Sequence, residues 1–371
     1  MAPRPGVIPW WALALAAGLV SGQAWAEGAA AEAAGTSALL DQAETLLLTQ
    51  RARPDLDGFL RARNLVEQAN RGAPRDSRAW TGLAWTRMIE HRFLEAYEAA
   101  RTADGLAGAE ARNLALMCDA LTELGRYEEA VAATQRLMDL RPGVPAWIRA
   151  ARQRFLHSDL EGAITLLGRA THVDHTRGEA TAWVWLELAR MHMQAGDLRA
   201  MEAAITAARG AYPDLAAIPH LEGQLHQAQG NSSKALDLYL ATLARQPSAE
   251  VALDAWRLAT RMGQSGVAKH QAALLEGLAR LPGANQSRRA LAEYFADSGQ
   301  TGKALEWARE EMDARPDIYS HATLARALAG AGDWPRAKGH ATLALALNTP
   351  DRALQSAMDA ILKGTYPHLP P

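Results

Sequence analysis

The sequence predicts an all-α protein assembled as an array of antiparallel helix pairs, and three observations carry that prediction. Residues 125–142, GRYEEAVAATQRLMDLRP, return in altered form as GNSSKALDLYLATLARQP at 230–247 and GDWPRAKGHATLALALNTP at 332–350. Hydrophobic residues fill 49% of the 371 positions, yet aromatics supply only 6%. With alanine prominent, this favours closely approaching helices over a thick sheet core. Third, alanine, glycine and proline keep a common beat of about one helical hairpin.

Taken in order, the chain begins with Arg4, an apolar run from Val7 to Val20, and the small-x-small triplet Ala24-Trp25-Ala26. That is the layout of a secretory signal, with cleavage predicted after Ala26, export across an inner membrane and a periplasmic location. An uncleaved N-terminal anchor is the alternative. Residues 27–36, EGAAAEAAGT, read as a disordered small-residue tether, and 37–76 as a degenerate first repeat marked by Ala62, Val66, Ala69 and Pro74. From 77 to 350 the beat is regular enough for about eight repeats. Alanine marks Ala62, Ala96, Ala130, Ala163, Ala235, Ala268, Ala304 and Ala337, with Met201 in the gap. Glycine stands five residues earlier at Gly125, Gly196, Gly230, Gly263, Gly299 and Gly332, where a helix must end in a left-handed residue. Proline at Pro74, Pro142, Pro213, Pro247, Pro282, Pro316 and Pro350 closes each second helix. An insert near 171–181, THVDHTRGEAT, predicts a kink, and 249–284 lacks a clean first-helix pattern. The final stretch 351–371 reads as a capping helix, DRALQSAMDAIL, and a short tail; a cap covers the last apolar face of an open stack.

Trp80, Leu83, Ala84, Ala96, Ala100 and Ala103, with Tyr239 at the aromatic place of its own repeat, resemble the signature of the tetratricopeptide repeat family. The resemblance implies a right-handed α-solenoid of helix pairs whose first helices line a concave groove, and a non-enzymatic protein-binding scaffold. Carried over repeat by repeat, it puts Arg78, Trp85, Arg112, Arg152, Phe155, Trp183, Arg190, Arg257, Arg289, Tyr319 and Arg326 in that groove. Arg152, Arg190, Arg257 and Arg326 hold one place in four repeats. Guanidinium groups at repeat intervals, interleaved with aromatic rings, suit an extended acidic protein segment or an anionic glycan of an envelope or exopolysaccharide export system. The rival reading pairs those arginines with local carboxylates such as Asp119, Glu187 or Glu293. The lysines and asparagines by which a carboxylate-clamp repeat reads a chaperone tail are absent at the matching places.

Other chemistry finds little footing. A formal net charge of -2 is far from the basic excess that nucleic acid requires. Cys118, the single cysteine, permits no internal disulfide and sits at a packing place. His172 and His175 lie in a loop-like insert that offers at most Asp174 as a third metal ligand. Glu128-Glu129 and Glu310-Glu311 read as solvated charges on outer helical faces. Neither a phosphate loop, a nucleophile elbow nor a zinc-protease motif occurs, so no cofactor, metal or enzymatic activity is expected.

Overall fold

The computed structural model describes residues 27–52, 55–173, 178–281 and 284–365. The signal-like segment 1–26, Asp174 and His175 of the insert, and residues 366–371 of the tail lie outside the described residues. The described residues are all-α. The helices run α1 (Glu27–Ala52) and α2 (Leu56–Gly72), α3 (Ser77–Ile89) and α4 (Phe93–Ala107), α5 (Ala111–Glu123) and α6 (Tyr127–Leu140), α7 (Val144–Leu156) and α8 (Leu160–Val173), α9 (Glu179–Ala195) and α10 (Leu198–Ala211). There follow α11 (Ala217–Ala228) and α12 (Ser232–Arg245), α13 (Ala249–Arg261) and α14 (Ser265–Leu278), α15 (Arg288–Asp297) and α16 (Thr301–Ala314), α17 (Ile318–Gly330) and α18 (Trp334–Ala344), and the single α19 (Arg352–Leu362). A 3-10 turn, Ala284–Ser287, leads into α15.

One expectation changes here, and one departure from the sequence pattern leaves no mark on the fold. Residues 27–36, expected to be a disordered tether, are the first turns of α1. Alanine and glutamate are strong helix formers, and nothing in the run stops the helix before its apolar half. The 249–284 stretch, which lacks the consensus pattern, folds into the regular pair α13 and α14. Eight buried residues of α13, from Ala249 through Trp256 to Ala259, supply the one-sided apolar face that a helix needs.

The sequence rungs have direct structural counterparts. Seven of the eight rung alanines and Met201 are fully buried, whereas Ala268 is only half-buried. All six rung glycines adopt left-handed φ between 65° and 81°. At the equivalent turns before Ala96 and Ala163 the same conformation is held by His91 (φ 57°) and Ser158 (φ 71°), so the turn geometry persists where glycine does not. Side-chain carboxylates of Asp76, Asp197, Asp317, Asp333 and Asp351 accept backbone N–H groups at the starts of their helices, meeting donors that a helix leaves open.

The chain divides into two compact units, residues 1–150 and 151–371, with the division inside α7. In the first, α3 packs on α1 and α5, α2 packs on α3, and α4 packs on α5. Its core joins Leu47, Phe59, Trp85, Met88, Phe93, Leu114 and Leu137 around the small residues Ala62, Ala96 and Ala130. In the second, α9 touches α11, and α13, α15, α17 and α19 follow one another in direct contact. Because the first helices touch both their own partners and each other, they form the crowded inner side of each unit.

The end of the second unit departs from an open stack. As expected of a cap, α19 packs on α17 and α18 through Leu354, Met358 and Ile361. The residues leading into it also bond to the start of the same unit. Thr349 Oγ1 donates to the Leu156 carbonyl at the end of α7 (2.6 Å), and Arg352 bonds to Gln194 and Ala195 at the end of α9.

Candidate functional site

The eleven candidate groove residues lie on first helices of their pairs: Arg78, Trp85 and Arg112 in the first unit, the other eight in the second. In the first unit, Arg78 at the start of α3 donates to Asp41 (2.5 Å) and to Ser37 (3.1 Å) on α1. Arg112 on α5 reaches Glu44 of α1 (2.9 Å), with its guanidinium 6.0 Å from the Trp85 ring centre. Asp41 and Glu44 are one helical turn apart, so one face of α1 answers both arginines. Trp85 itself is only 2% exposed and is a core side chain.

A stronger ion pair lies beneath, on a residue that the groove pattern passes over. Arg149 of α7 donates to Asp119 of α5 (2.6 Å) and also to the Ala115 and Pro145 carbonyls; both charged side chains are buried. Here Asp119 pairs with a buried arginine that lies outside the candidate groove set.

The second unit carries a chain of charges along its inner helices. Arg190 bonds to Glu187 one turn back on α9. Burial pushes the Glu187 carboxyl up, against the pull of Arg190 and Arg152. On α11, His220 Nε2 lies 2.8 Å from Asp254 of α13, and Gln224 donates to the same carboxylate (3.2 Å). Burial works to raise Asp254, but His220, Arg257 and Gln224 together hold it below the ordinary carboxylate range. Arg257 of α13 and Arg326 of α17 approach Asp297 of the intervening α15 from either side, at 2.7 and 2.8 Å, and Arg257 also holds Glu293 (2.8 Å). Arg289 of α15 bonds to Asp317 (2.8 Å), approaches Glu311 (3.2 Å) and lies 5.4 Å over the Tyr319 ring. Tyr319 donates to Asp351 (3.4 Å), and the charge of Arg152 acts on it from α7.

Each groove arginine thus has a carboxylate on it or acting through it. The signal was present in the sequence. Arg152, Arg190, Arg257 and Arg326 each stand eleven residues before their rung, and the same place holds Glu293 in α15 and Asp119 in α5. The place alternates in sign between neighbouring helices from α13 to α17. Of the four aromatics, Trp85 and Phe155 are buried, whereas Trp183 and Tyr319 are half-buried.

Residues set aside on sequence grounds are also placed. Cys118 is buried with Sγ 2.8 Å from Thr134 Oγ1. Glu128, Glu129 and Glu310 are exposed, but Glu311, read as solvated, is buried against Arg289 and Arg315. It points inward because the last turn of α16 faces α15 and the start of α17. His172 bonds to the Gly168 carbonyl within α8 (2.6 Å), and among the described residues no three potential ligands gather for a metal ion.

No protein-family model matches the chain. No curated protein matches it either. Among solved structures, yeast Tom70 is similar at 15% identity with a TM-score of 0.55, over 91% of this chain and 72% of that one. A chain of the APC/C hetero-tetramer Cut9–Hcn1 is similar at 15% identity with a TM-score of 0.52, over 88% of this chain. The match spans only 63% of that chain's length. These likenesses show the fold, an all-α tetratricopeptide-type helical repeat. Among the described residues no helix is long and apolar enough to cross a membrane.

Proposed function

We propose that this tetratricopeptide-type chain is a non-enzymatic, exported scaffold that holds a partner protein against its inner helices. The observation that carries the reading is the row of half-buried polar side chains at one place of successive inner helices, Arg190, Gln224, Arg257, Glu293 and Arg326. Such a row offers hydrogen-bonding groups at repeat intervals to an extended segment, and a rigid stack of hairpins keeps them in register. An acidic segment would bind by exchange, its carboxylates taking the arginines from Asp297, Glu293 or Glu187. That exchange returns little net Coulomb energy, so affinity would rest on the combined length of the segment. Sugar stacking has less support, because Trp85 and Phe155 have no free faces. The apolar run and Ala24-Trp25-Ala26 support export.

Site-specific photo-crosslinking tests the reading in the intact chain. Crosslinkers placed at Arg78 and at Gln227, both exposed on inner helices, are expected to trap one and the same protein. Positions Glu128 and Asp313 on second helices are expected to trap none of it. Adducts from the second helices alone, or from none of the four, would reject the inner face as the binding surface.

A further inference from the structure

The second unit closes on itself through a few residues. Thr349, 1% exposed, satisfies the Leu156 carbonyl, one of the acceptors that the last turn of α7 leaves open. Arg352 donates its backbone N–H to Gln194 Oε1 (3.2 Å) and its guanidinium to the Ala195 carbonyl (3.0 Å). A cation therefore sits at the negative end of α9, a favourable place for it. Gly196 makes room: a Cβ there would lie 2.8 Å from the Arg352 guanidinium nitrogens. Between these two residues, Asp351 starts α19 by accepting the Leu354 N–H and also receives the Tyr319 hydroxyl.

This closing contact differs in kind from the other interfaces of the unit. The successive pairs are joined by buried apolar side chains such as Leu186, Leu221 and Ile218, and α19 is held to α17 and α18 by Leu354, Met358 and Ile361. At the closure the Thr349 bond to Leu156 is buried, and the Arg352 bonds are exposed to water. Polar contacts in water contribute least, so if the ring opens anywhere it opens here, with α19 remaining on its own helix pair. Closure also brings Arg152 of α7 within electrostatic reach of Tyr319 of α17, which joins the first and last inner helices of the unit.

We propose that Thr349 and Arg352 are a latch that reversibly closes residues 151–362 into a ring, and that its opening admits the partner segment to the inner helices. The admission step rests on the scaffold reading above; the latch does not.

Hydrogen–deuterium exchange on the full chain tests it without any partner. The double variant Thr349→Val, Arg352→Ala keeps the size of the buried side chain and removes the two side-chain bonds, leaving only the Arg352 backbone N–H on Gln194. Peptides covering 153–158, 192–197 and 349–355 are expected to exchange about tenfold faster, with α11 to α14 unchanged. A change below about twofold at those peptides, or an equal acceleration across the whole unit, overturns the latch. Should the double variant fail to fold, Arg352→Gln alone, which spares the buried Thr349 bond, is measured by the same criterion; Asp359→Ala, on an exposed face of α19, is the control. Crosslinking from Gln227 is then repeated in the unlatched variant. A higher yield supports admission through the latch, and an unchanged yield alongside faster exchange overturns admission.

Discussion

The decisive residues of this protein are charged ones that have been withdrawn from water in pairs. Taking Arg149 and Asp119 into the core is costly for each ion alone, and the cost is met by three donors on Arg149 finding acceptors at once. Removing Arg149 takes from the buried Asp119 carboxylate the charged donor that lies 2.6 Å from it. Arg149→Met is therefore expected to destabilise the protein by about 3–5 kcal/mol in chemical denaturation. A single variant within about 1 kcal/mol of the parent would show that water reaches the pair. By contrast Arg78 with Asp41 is exposed, and the same pairing there is worth little.

At the scale of the helix pair, small residues set the distance of approach. Gly223 on α11 faces Tyr239 on α12, and a Cβ at Gly223 would stand 2.3 Å from the ring. The ring is fixed, fully buried and 5.6 Å from His220, so it has nowhere to turn. At Gly82 the nearest atom, a Val66 methyl, is 3.1 Å from the position of a Cβ, and a few tenths of an ångström of relaxation suffice. Gly223→Ala is expected to cost about 1–3 kcal/mol in thermal or chemical unfolding and Gly82→Ala distinctly less. Equal costs would mean that the α11 and α12 pair is looser than its geometry. The rung glycines show the complementary case. What the hairpin needs is the left-handed turn, and Ser158 and His91 supply it without glycine.

For the whole molecule, the depressed histidines and aspartates make stability fall on acidification, while the raised Glu187 acts in the opposite sense. On α17 and α18, His321 Nδ1 lies 2.9 Å from His340 Nδ1, so one ring donates to the other. Burial pulls both below the usual histidine value; the neighbouring ring pulls His321 further while Asp317 opposes, and Arg336 pulls His340 further. A group depressed on folding binds fewer protons folded than unfolded. Its contribution is complete above the ordinary histidine pKa near 6.5 and is lost as pH falls through the folded value. Asp254, Asp297 and Asp317 are also depressed, each raised by burial but lowered more by its arginine or histidine partners. Their contribution is present above the ordinary carboxylate value near 4 and lost below it. Melting temperature is expected to fall in two stages on acidification. His321→Gln with His340→Gln should remove much of the upper stage and leave the lower. A flat profile from pH 7 to pH 5 in the parent would contradict the upper stage.

The repeat architecture was written in the chain itself, because a hairpin needs glycine, alanine and proline at set intervals whatever surrounds it. The rung alanines, the left-handed turns and the helix caps are local requirements, and local requirements leave local marks. That Arg257 and Arg326 share one place was also readable, from their distance to their rungs. Their pairing on Asp297 was not, since it depends on which neighbouring helix brings a carboxylate within reach. Equally hidden were the burial of Arg149 and Glu311 and the bond from Thr349 to Leu156, whose residues lie 193 apart in sequence. Those outcomes are set by how far each hairpin rotates on the next. That rotation is a sum over many side-chain contacts, and no single stretch of sequence contains it.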